Sequence, residues 1–524
     1  MQKVLTAAQM REVDRLTTER YGIPSLILME NAAHAVTRVI TEKLGGSVNG
    51  KSILILCGKG NNGGDGAAVA RILSSEGANI RLILFAKIDQ TKGDAKINFE
   101  RLPSKIEVCE AEEWWQAWEY INPRDWDELE CVVDAVFGTG LKYPRDDINE
   151  IVGSFSNVFH VAVDIPSALM ADQAAVQLYQ YRRADVTVSF TAPKIANVLP
   201  PASNFNGDLV VTNIGSPQEL IDEQASRLYV AEKNDAAAWV KRSAFASDSY
   251  KNKRGHALLI AGSKNYTGAA VLAADAAMRS GVGLVTLAVP ESLRESVGAR
   301  VMPEVMVRGV SDSARGSASE KAVDEVKEFL RNVDAIAIGS GLSTNDETAT
   351  FVRRMVDERT MPMVIDADGL TALSPFNMEG SDELPLILTP HEGEFMRLLG
   401  TEDKDAIKDR VASVRDFATK HRVILVLKGE RVLIGEPGGK VVVNPTGNSG
   451  LGKAGNGDTL AGILIGFVAQ AVQMKIGIFE TVVAACYVAG MAGDVAEKKY
   501  GKRVMTASDV RECLTEVFES LEAN

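Results

Sequence analysis

A run of valines that leads into a glycine-rich turn and then into an apolar segment constrains the fold of this chain most strongly. The valines occupy 441–443, the turn extends to Gly457, and the apolar residues of 459–469 have helical spacing. Glycines let backbone N–H groups point at an anion, and the start of a helix adds partial positive charge there. Asp458 lies where this anion site meets the helix, which predicts a carboxylate that accepts a hydroxyl proton while phosphate moves.

Two other interpretations of this segment have to be weighed. Gly447 to Lys453 has the P-loop spacing G-x-x-x-x-G-K, but Ala454 stands where a P-loop needs a Ser or Thr hydroxyl for magnesium. A purely structural alternative makes Asp458 a simple cap at the helix N-terminus. The motifs elsewhere in the chain favour the anion site over both.

Length and charge restrict the organisation of the chain and its partners. With 524 residues it is too long for one hydrophobic core, so we expect two or more domains. A hydrophobic content of 46% and a charged content of 24% are typical of a globular protein. The net charge of -13 argues against general binding to nucleic acid or to an anionic membrane. Local sites and backbone amides must therefore hold any phosphate-bearing ligand.

The cysteines and histidines argue against a disulfide framework and against a zinc site. The five cysteines are scattered and form no C-x-x-C pair, which fits a reducing compartment. The five histidines are not spaced as metal ligands. The first six residues lack the apolar core of a signal peptide, and no long uncharged apolar run predicts a membrane span. We therefore expect a cytoplasmic protein.

The first half of the chain contains a strand–loop–helix–strand unit. The strand 52–57 runs into the glycine-rich loop 58–66, and a helix follows through Ser74. The glycines of the loop satisfy G-x-G-x-x-G: Gly58, Gly60 and Gly63. The second strand ends at 84–87 with no acid until Asp89, so the usual ribose-binding arrangement of a dinucleotide fold is not expected. The loop also carries polar side chains suited to ligand recognition: Asn61, Asn62 and Asp65.

Two later strands of this half each carry an aspartate near the carboxyl end. Asp134 belongs to the buried run 131–137, and Asp164 follows 159–163. A single such residue is usually a loop cap. Two of them, with Lys142 on the neighbouring loop, predict side chains that converge on one rim of a parallel sheet.

Four segments of the first half resemble the signatures of the NAD(P)H-hydrate epimerase family: NNGGDG at 61–66, FGTGL at 137–141, VDIPS at 163–167 and TAPK at 191–194. The resemblance implies a Rossmann-like three-layer sandwich. It implies that a hydrated nicotinamide nucleotide is held by Asn61, Asn62, Gly63, Gly64, Asp65, Gly138, Thr139, Gly140, Leu141, Lys142, Tyr143, Pro144 and Asp164. It also implies potassium near Asn62, Asp134 and Ser167.

Inverting the hydroxyl-bearing C6 of a hydrated nicotinamide needs a proton donor or acceptor on either side of the ring. Asp164 and Lys142 are the candidates for these catalytic roles. Ala168 departs from the family, which usually has glycine after the Ser of VDIPS. This departure affects the expected shape of the substrate loop and leaves both aspartates in place.

The second half begins close to Ser226, where the pattern turns polar, so we expect domains at 1–224 and 225–524. Strands alternate with helices, and the strands end in Gly, Asp or His, which is typical of a parallel α/β sheet. Six motifs in this half resemble the ADP- or ATP-dependent NAD(P)H-hydrate dehydratases of the ribokinase-like superfamily: YTGA (266–269), DAD (366–368), TPH (389–391), KGE (428–430), NPTG (444–447) and GNGD (455–458). The departures are Ser340 and Glu392, where proline is common, and Asn456, where Thr or Ser is common.

The second resemblance implies a role for each motif. Asp458 is the catalytic base. The hydrate is contacted by Asp458, Ala269, Gly341 and His391. The adenine nucleotide is held by Lys428, Gly429, Glu430, Arg431 and Val432, and by the anion hole of Ala454, Gly455, Asn456 and Gly457. Glu394 holds Mg²⁺ or its water shell. A buried core histidine is the alternative interpretation of His391.

Together these motifs predict an enzyme of nicotinamide nucleotide repair. It would epimerise hydrated NADH and NADPH and dehydrate the S form with ADP (giving AMP and phosphate) or with ATP, as a homo-oligomer that binds neither nucleic acid nor membrane. The main alternative is a ribokinase-like kinase of a small alcohol with an N-terminal nucleotide-binding regulatory domain. A second alternative makes the first domain a binding module without catalysis.

Overall fold

The chain forms two compact units in a computed structural model that describes residues 1–120, 129–141, 143, 146–155, 157–167, 169–176 and 182–523. The N-terminal unit comprises Gln2–Ser226. The C-terminal unit comprises Arg227–Asn524 together with Met1. Each unit is an α/β fold built on its own sheet, as the alternation of strands and helices predicts.

The N-terminal sheet is parallel throughout its described strands. Its strand order is Glu107–Glu110, Asn79–Leu84, Ser52–Cys57, Leu129–Ala135, Phe159–Val163, Val186–Phe190 and Asp208–Thr212. The order reverses direction between Ser52–Cys57 and Leu129–Ala135. A crevice that suits a ligand forms at such a reversal, outside the carboxyl ends of the strands.

Helices cover both faces of the N-terminal sheet. Ile53 and Ile55 pack into one apolar cluster, while Leu54 and Leu56 of the same strand pack into another on the opposite face. This alternation produces the predicted three layers. The described helices and 3₁₀ turns of the unit are Ala7–Tyr21, Ser25–Lys43, Asn61–Ser75, Ile88–Gln90, Gly93–Glu100, Trp114–Tyr120, Asp146–Ser154, Ile195–Val198, Ala202–Phe205 and Gln218–Asp222, and Gln2–Lys3 is extended.

One predicted boundary in this unit was wrong. The expected loop 58–66 is shorter, because the helix Asn61–Ser75 begins directly after Gly60. Asn61 and Asn62 therefore stand in the first helical turn, where free backbone N–H groups collect.

The strands of the C-terminal sheet are mostly parallel, and one of them runs antiparallel to its neighbours. Its order includes Leu228–Val230, Val441–Asn444, Val432–Gly435, Ile424–Leu427, Leu386–Leu388, Met363–Ile365, Ala335–Ile338, His256–Ile260, Leu284–Pro290 and Met306–Val310. Val432–Gly435 is antiparallel to both of its neighbours, and the other pairs in this series are parallel. The order reverses between Ala335–Ile338 and His256–Ile260, which again places a crevice at the carboxyl edge.

The helices and 3₁₀ turns described in the C-terminal unit are Lys233–Arg242, Lys251–Arg254, Thr267–Arg279, Glu291–Leu293, Arg294–Gly298, Ala322–Lys327, Leu330–Asn332, Asp346–Asp357, Asp368–Ala372, Glu392–Leu399, Lys404–Ile407, Arg410–His421, Ser449–Leu451, Asn456–Met474, Ile478–Tyr500, Ala507–Glu512 and Leu514–Glu522.

Two of these helices are long and apolar enough to cross a membrane by length and composition alone: Asn456–Met474 and Ile478–Tyr500. Neither helix is an uncharged run, because each has an acidic residue in its first turn, Asp458 and Glu480. Their most apolar windows are 67% and 61% buried inside the fold. Burial in the core of the C-terminal unit accounts for their composition, because a helix that is apolar on most sides can pack against neighbours all round.

Glycines let the helix Asn456–Met474 pack closely on the helix Thr267–Arg279. A Cβ on Gly462 would lie 2.1 Å from the carbonyl oxygen of Ala273, and one on Gly466 would lie 1.9 Å from Ser280 Oγ. The backbones of the two helices are therefore almost in contact. This packing fixes the position of the helix that carries Asp458.

Gly462→Ala is expected to lower the free energy of unfolding of the C-terminal unit by about 1–3 kcal/mol, because the added methyl forces the helix away from Ala273. Urea unfolding followed by circular dichroism measures the effect. Gly298→Ala is the matched control, since no atom lies within 4 Å of its added Cβ. A Gly462→Ala protein as stable as the Gly298→Ala protein would contradict the close packing.

Candidate active sites

A buried ion pair lies at the carboxyl edge of the C-terminal sheet. Asp366, Thr389 and Lys428 each stand one residue beyond a strand. The Lys428 ammonium lies 2.8 Å from Asp366 Oδ1, and the Thr389 hydroxyl donates to the same oxygen at 2.7 Å. Burial alone would lower the pKa of Lys428, but the carboxylates of Asp366 and Glu394 outweigh it and raise that pKa above its ordinary value. Lys428 is therefore a fixed cation among carboxylates.

Asp458 lies at the start of a helix, beside this ion pair. The helix begins at Asn456, and its cap is Gly455 in the left-handed conformation (φ 91). A Cβ on Gly457 would lie 3.7 Å from both Asp366 Oδ2 and Lys428 Nζ, so the glycine turn brings the helix start against the pair. The N–H groups that collect at the start of a helix and the adjacent ammonium together make a place for an anion.

The pKa of Asp458 suits proton transfer near neutral pH. Burial raises this pKa to about 6. The hydrogen bond with Ser340 and the charge of Lys428 oppose the rise, and the carboxylate of Asp366 reinforces it. A carboxylate that titrates near pH 6 is a stronger base than an exposed one and is still ionised in the neutral range.

The two alternative interpretations of the turn fail on geometry. Lys453, the lysine of the P-loop spacing, donates to the carbonyl oxygens of Arg503 and Met505 at 2.6 and 2.9 Å. It is therefore tied to the backbone of a later segment. The N-terminal cap is Gly455, and Asp458 is the third helical residue, so Asp458 is not the cap.

His391 is half-exposed at the N-terminus of the helix Glu392–Leu399, so it is not a buried core histidine. Its Nδ1 accepts from the backbone N–H groups of Gly393 and Glu394 at 3.0 and 3.4 Å. Glu394 in turn accepts from the His391 N–H at 2.8 Å. This reciprocal capping fixes the imidazole, whose Nε2 lies 3.6 Å from Glu394 Oε1.

The other predicted hydrate contacts stand next to one another. A Cβ on Gly341, which has a φ of 65, would lie 2.9 Å from Ala269 Cβ and 2.8 Å from Tyr266 Cβ. Tyr266 is exposed, and a helix begins at the following residue. Backbone strain marks the same rim, because Ala367, directly after Asp366, has a φ of 48.

The predicted nucleotide segment 428–432 leaves the ion pair and becomes a strand at Val432. Gly429 and Glu430 are exposed. A Cβ on Gly429 would lie 2.4 Å from Arg410 Nη2, and Arg431 donates to the carbonyl oxygen of Pro445. Arg410 therefore adds a cation that the motif analysis did not include.

In the predicted anion hole, Ala454 is exposed, and the side-chain amide of Asn456 donates to the Lys453 carbonyl oxygen at 3.3 Å.

The N-terminal site is built on close glycine contacts at the reversal of its sheet. A Cβ on Gly63 would lie 1.7 Å from the Gly58 carbonyl oxygen, and one on Gly64 would lie 2.7 Å from Ala95 Cα. Gly63 lets the first helical turn approach the end of its strand, and Gly64 lets it approach the helix Gly93–Glu100. Packing therefore explains Gly63 and Gly64 directly, whether or not they touch a ligand.

Asp134 and Ser167 form a buried polar cluster beside this reversal. Asp134 Oδ2 accepts from the Ser167 N–H at 2.9 Å, and Asp134 Oδ1 accepts from the Ser167 hydroxyl and, at 3.3 Å, from the Val136 N–H. The Phe137 carbonyl oxygen lies 3.2 Å from Ser167 Oγ. Burial raises the pKa of Asp134, and the hydrogen bonds from Ser167 and Val136 oppose that rise.

Asp164 is a strained, buried residue at the end of the neighbouring strand. Its φ is 67, and it is 8% exposed. Lys194 Nζ lies 2.5 Å from Asp164 Oδ1. A Cβ on Gly138 would lie 3.1 Å from both Asp164 Oδ2 and Asn62 Oδ1, so the loop after Leu129–Ala135 meets the two side chains. Asn62 Nδ2 is buried and has no hydrogen-bond partner among the residues that the structure describes.

Two further carboxyl groups surround Asp164. Burial raises the pKa of Asp65 well above its ordinary value, and the charges of Asp164 and Asp14 add to the effect. Burial likewise raises the pKa of Asp14 to about 6; the charge of Lys194 opposes this rise, and that of Asp164 adds to it. Among the described residues Asp14 Oδ1 has no hydrogen-bond partner. The site therefore favours a protonated Asp65 next to the ion pair, while Asp14 changes protonation near pH 6.

The structure describes some of the remaining predicted residues of the N-terminal site and leaves others outside its described ranges. Thr139 and Leu141 are half-buried, while Gly140, Tyr143 and Asn61 are exposed. Lys142, Pro144 and the departure Ala168 lie outside the described residues.

Besides Arg410, sequence reasoning missed four polar residues of these sites. Asp366 and Lys194 belong to motifs that were recognised without a role for the residue, and Ser340 was seen only as a departure from proline. These three residues follow strands, and that position was the signal in the sequence that could have indicated a role. Asp14, on the helix Ala7–Tyr21, has no comparable pattern around it.

Comparison with known proteins places both halves of the chain. A family model described as NAD(P)H-hydrate dehydratase matches residues 257–516, and one described as YjeF-related protein N-terminus matches residues 25–196. A crystal structure of ADP/ATP-dependent NAD(P)H-hydrate dehydratase from Bacillus subtilis, co-crystallised with ATP/Mg²⁺, is 28% identical. It covers 56% of this chain and 99% of that chain, with a TM-score of 0.48.

Two relatives align along nearly the whole sequence. The bifunctional NAD(P)H-hydrate repair enzyme Nnr of Moorella thermoacetica is 37% identical over 530 residues, which cover 99% of this chain and 97% of the relative. The enzyme of the same name from Thermofilum pendens is 34% identical over 528 residues, with the same coverage. The chain belongs to the family of bifunctional NAD(P)H-hydrate repair enzymes.

Proposed function

We propose that this protein repairs hydrated NADH and NADPH in two steps, epimerisation in the N-terminal unit and dehydration of the S form in the C-terminal unit with ADP, or ATP, as phosphoryl donor. Family membership supports both activities. The observation that carries the proposal is Asp458, whose pKa is raised to about 6, at a helix start beside the Lys428–Asp366 pair. That arrangement offers a base and an anion site in one place.

In the proposed dehydration, Asp458 accepts the proton of the C6 hydroxyl of the hydrate. Lys428 and the N–H groups of Ala454, Gly455, Asn456 and Gly457 hold the phosphate group that is transferred. The nucleotide supplies the phosphoryl group that makes the hydroxyl oxygen leave as phosphate. Loss of a ring proton then restores the dihydronicotinamide, so the products are NAD(P)H, AMP and phosphate when ADP is the donor.

The charges of the C-terminal site fit Mg²⁺ as a partner of the nucleotide. Asp366, Asp368, Glu394 and Asp458 bring four carboxyl groups to the rim, and Lys428 lies among them. Phosphates would add further negative charge. We infer that Glu394 holds Mg²⁺ through its water shell, because its Oε2 already accepts from the His391 N–H. The metal would neutralise the phosphates.

In the proposed epimerisation, Asp164 and Lys142 exchange protons with the hydrate on the two sides of its ring. Oxygen atoms of Asp134, Ser167 and Phe137 converge near the same loop, and a buried carboxylate among oxygens suits a monovalent cation. We infer that Asp134 and Ser167, with Asn62, hold K⁺ there. The cation would stabilise the loop that binds the substrate.

We further propose that the protein works as a cytoplasmic homo-oligomer. The kinase alternative is not favoured, since the relatives that span the whole chain are named as repair enzymes. The assays below also detect the alternative, because a small-alcohol kinase would accumulate a stable phosphorylated product and would not restore nicotinamide absorbance.

Asp458→Asn should reduce the recovery of NADH absorbance from the S hydrate by at least about 10²-fold, because the amide cannot accept the proton. Absorbance at saturating ADP or ATP measures the rate, and calorimetric titration measures whether the variant still binds nucleotide. Asp346→Asn, an exposed aspartate in the first turn of another helix, should retain the wild-type rate. Full recovery with Asp458→Asn would overturn the assignment of the base.

Ser340→Ala should move the acid limb of the dehydration profile to higher pH. The wild-type limb is expected near pH 6, where Asp458 becomes protonated and loses its ability to accept a proton. Because the Ser340 hydrogen bond lowers this pKa, its removal favours protonation at higher pH. Initial rates with the S hydrate between pH 5 and 8 test this. An acid limb at the wild-type pH would contradict the hydrogen bond between Ser340 and Asp458.

Asp164→Asn should leave the R hydrate unconsumed on the timescale of S hydrate dehydration, since the amide cannot exchange the proton. An epimer mixture with excess nucleotide reports both reactions: wild type restores all of the absorbance quickly, and the variant restores only the S fraction. Asp89→Asn, an exposed aspartate of the same unit, is the control. Rapid full recovery with Asp164→Asn would exclude Asp164 as an essential group.

A further inference from the structure

Lys194 is a fully buried lysine whose ammonium is saturated with hydrogen bonds. Its relative exposure is 1%, and lysines are almost never buried to this extent unless they are paired. The ammonium donates to Asp164 Oδ1 at 2.5 Å, to Ser189 Oγ at 3.0 Å and to the Phe190 carbonyl oxygen at 3.0 Å. An ammonium has three donors, so Lys194 has none left for a substrate.

The contacts of Lys194 distinguish the two carboxylate oxygens of Asp164. Oδ1 accepts from Lys194 and lies 3.4 Å from Ser189 Oγ. Oδ2 faces the loop after Leu129–Ala135, where a Cβ on Gly138 would lie 3.1 Å from it. One oxygen is thus held inside the fold, and the other is turned towards the loop of the candidate site.

Among the carboxyl groups near Lys194, that of Asp164 accepts from its ammonium. Asp14 faces the ion pair from the helix Ala7–Tyr21, and Asp65 faces it from Asn61–Ser75. Burial raises the pKa of Asp65 well above its ordinary value, which favours its neutral form, whereas the pKa of Asp14 is raised to about 6. A buried ion pair persists where hydrogen bonds satisfy both partners. Here Ser189 Oγ and the Phe190 carbonyl oxygen accept from Lys194, and the Ser189 hydroxyl and the Phe190 N–H lie 3.4 and 3.5 Å from Asp164 Oδ1.

We propose that Lys194 is a positioning residue for epimerisation: it holds Oδ1 of Asp164 so that Oδ2 is the oxygen that exchanges a proton with the substrate. The inference rests on the proposed epimerase function of this unit. Lys194 acts through Asp164 and does not touch the substrate. Removing it takes away the contact to Oδ1 and frees the carboxylate to rotate.

Lys194→Met tests the inference in the full chain. The expected result is a fall of about 10²-fold in kcat for epimerisation, the scale of loss for a displaced catalytic group, with KM unchanged within about twofold. Lys105→Met is the control, since Lys105 donates to a single carbonyl oxygen, that of Ser74. Dehydration of the S hydrate by the same preparation checks that the C-terminal unit of the variant is still active.

A double substitution separates positioning from a structural or direct role. On the Asp164→Asn background, Lys194→Met should cause no further loss of epimerisation, because its effect passes through the missing carboxylate. A further loss on that background, a raised KM at constant kcat, or wild-type epimerisation by Lys194→Met would each overturn the inference. Wild-type protein that fails to epimerise would instead overturn the proposed function.

Ser189→Ala provides a second variant if circular dichroism shows that Lys194→Met does not fold. It removes one of the three ammonium contacts and leaves the ion pair. We expect a fall of about 3- to 10-fold in kcat for epimerisation with KM unchanged, since Oδ1 is held less firmly. A wild-type kcat for Ser189→Ala would count against the inference in that case.

Discussion

Each candidate site depends on an ammonium–carboxylate pair at the carboxyl edge of a parallel sheet. In the C-terminal unit Lys428 pairs with Asp366 at 2.8 Å, and in the N-terminal unit Lys194 pairs with Asp164 at 2.5 Å. Such pairs are costly to bury, and they persist where additional hydrogen bonds satisfy the charges. Thr389 supplies one to Asp366. The parallel sheet supplies the geometry, because its strand ends bring side chains that are distant in sequence to one rim.

The two pairs create different electrostatic surroundings for the carboxyl groups beside them. The pKa of Asp458 rises to about 6 through burial, although Lys428 and the Ser340 hydrogen bond oppose the rise. Asp65, which is buried, has a pKa raised well above its ordinary value by burial and by the charges of Asp164 and Asp14. A half-buried group beside a cation can change protonation near neutral pH, whereas an enclosed one beside carboxylates stays neutral. This difference separates a candidate base from a fixed neighbour.

The sequence could predict the local features of both units. The strands, the glycine-rich turns and the strand-end aspartates follow from hydrophobic runs and breaks that lie within about ten residues of each other. The pairings could not be derived in this way: Lys428 and Asp366 are 62 residues apart, and Lys194 and Asp164 are 30 apart. The contribution of Asp14 depends on how a helix with no special motif packs on the sheet, so no local pattern reveals it.

Backbone packing determines how accurately these groups can be placed. The helix that carries Asp458 approaches its neighbour at Gly462 and Gly466, where a methyl group would collide with Ala273 or Ser280. Helices packed this closely cannot slide without steric overlap, so the distance of the helix start from the sheet edge is fixed. The same logic applies at Gly63, where the first helical turn rests against a strand end. Glycines that carry no reactive group therefore set the geometry on which proton transfer by the carboxylates would depend, since a group displaced by 1 Å can lose about 10²-fold in rate.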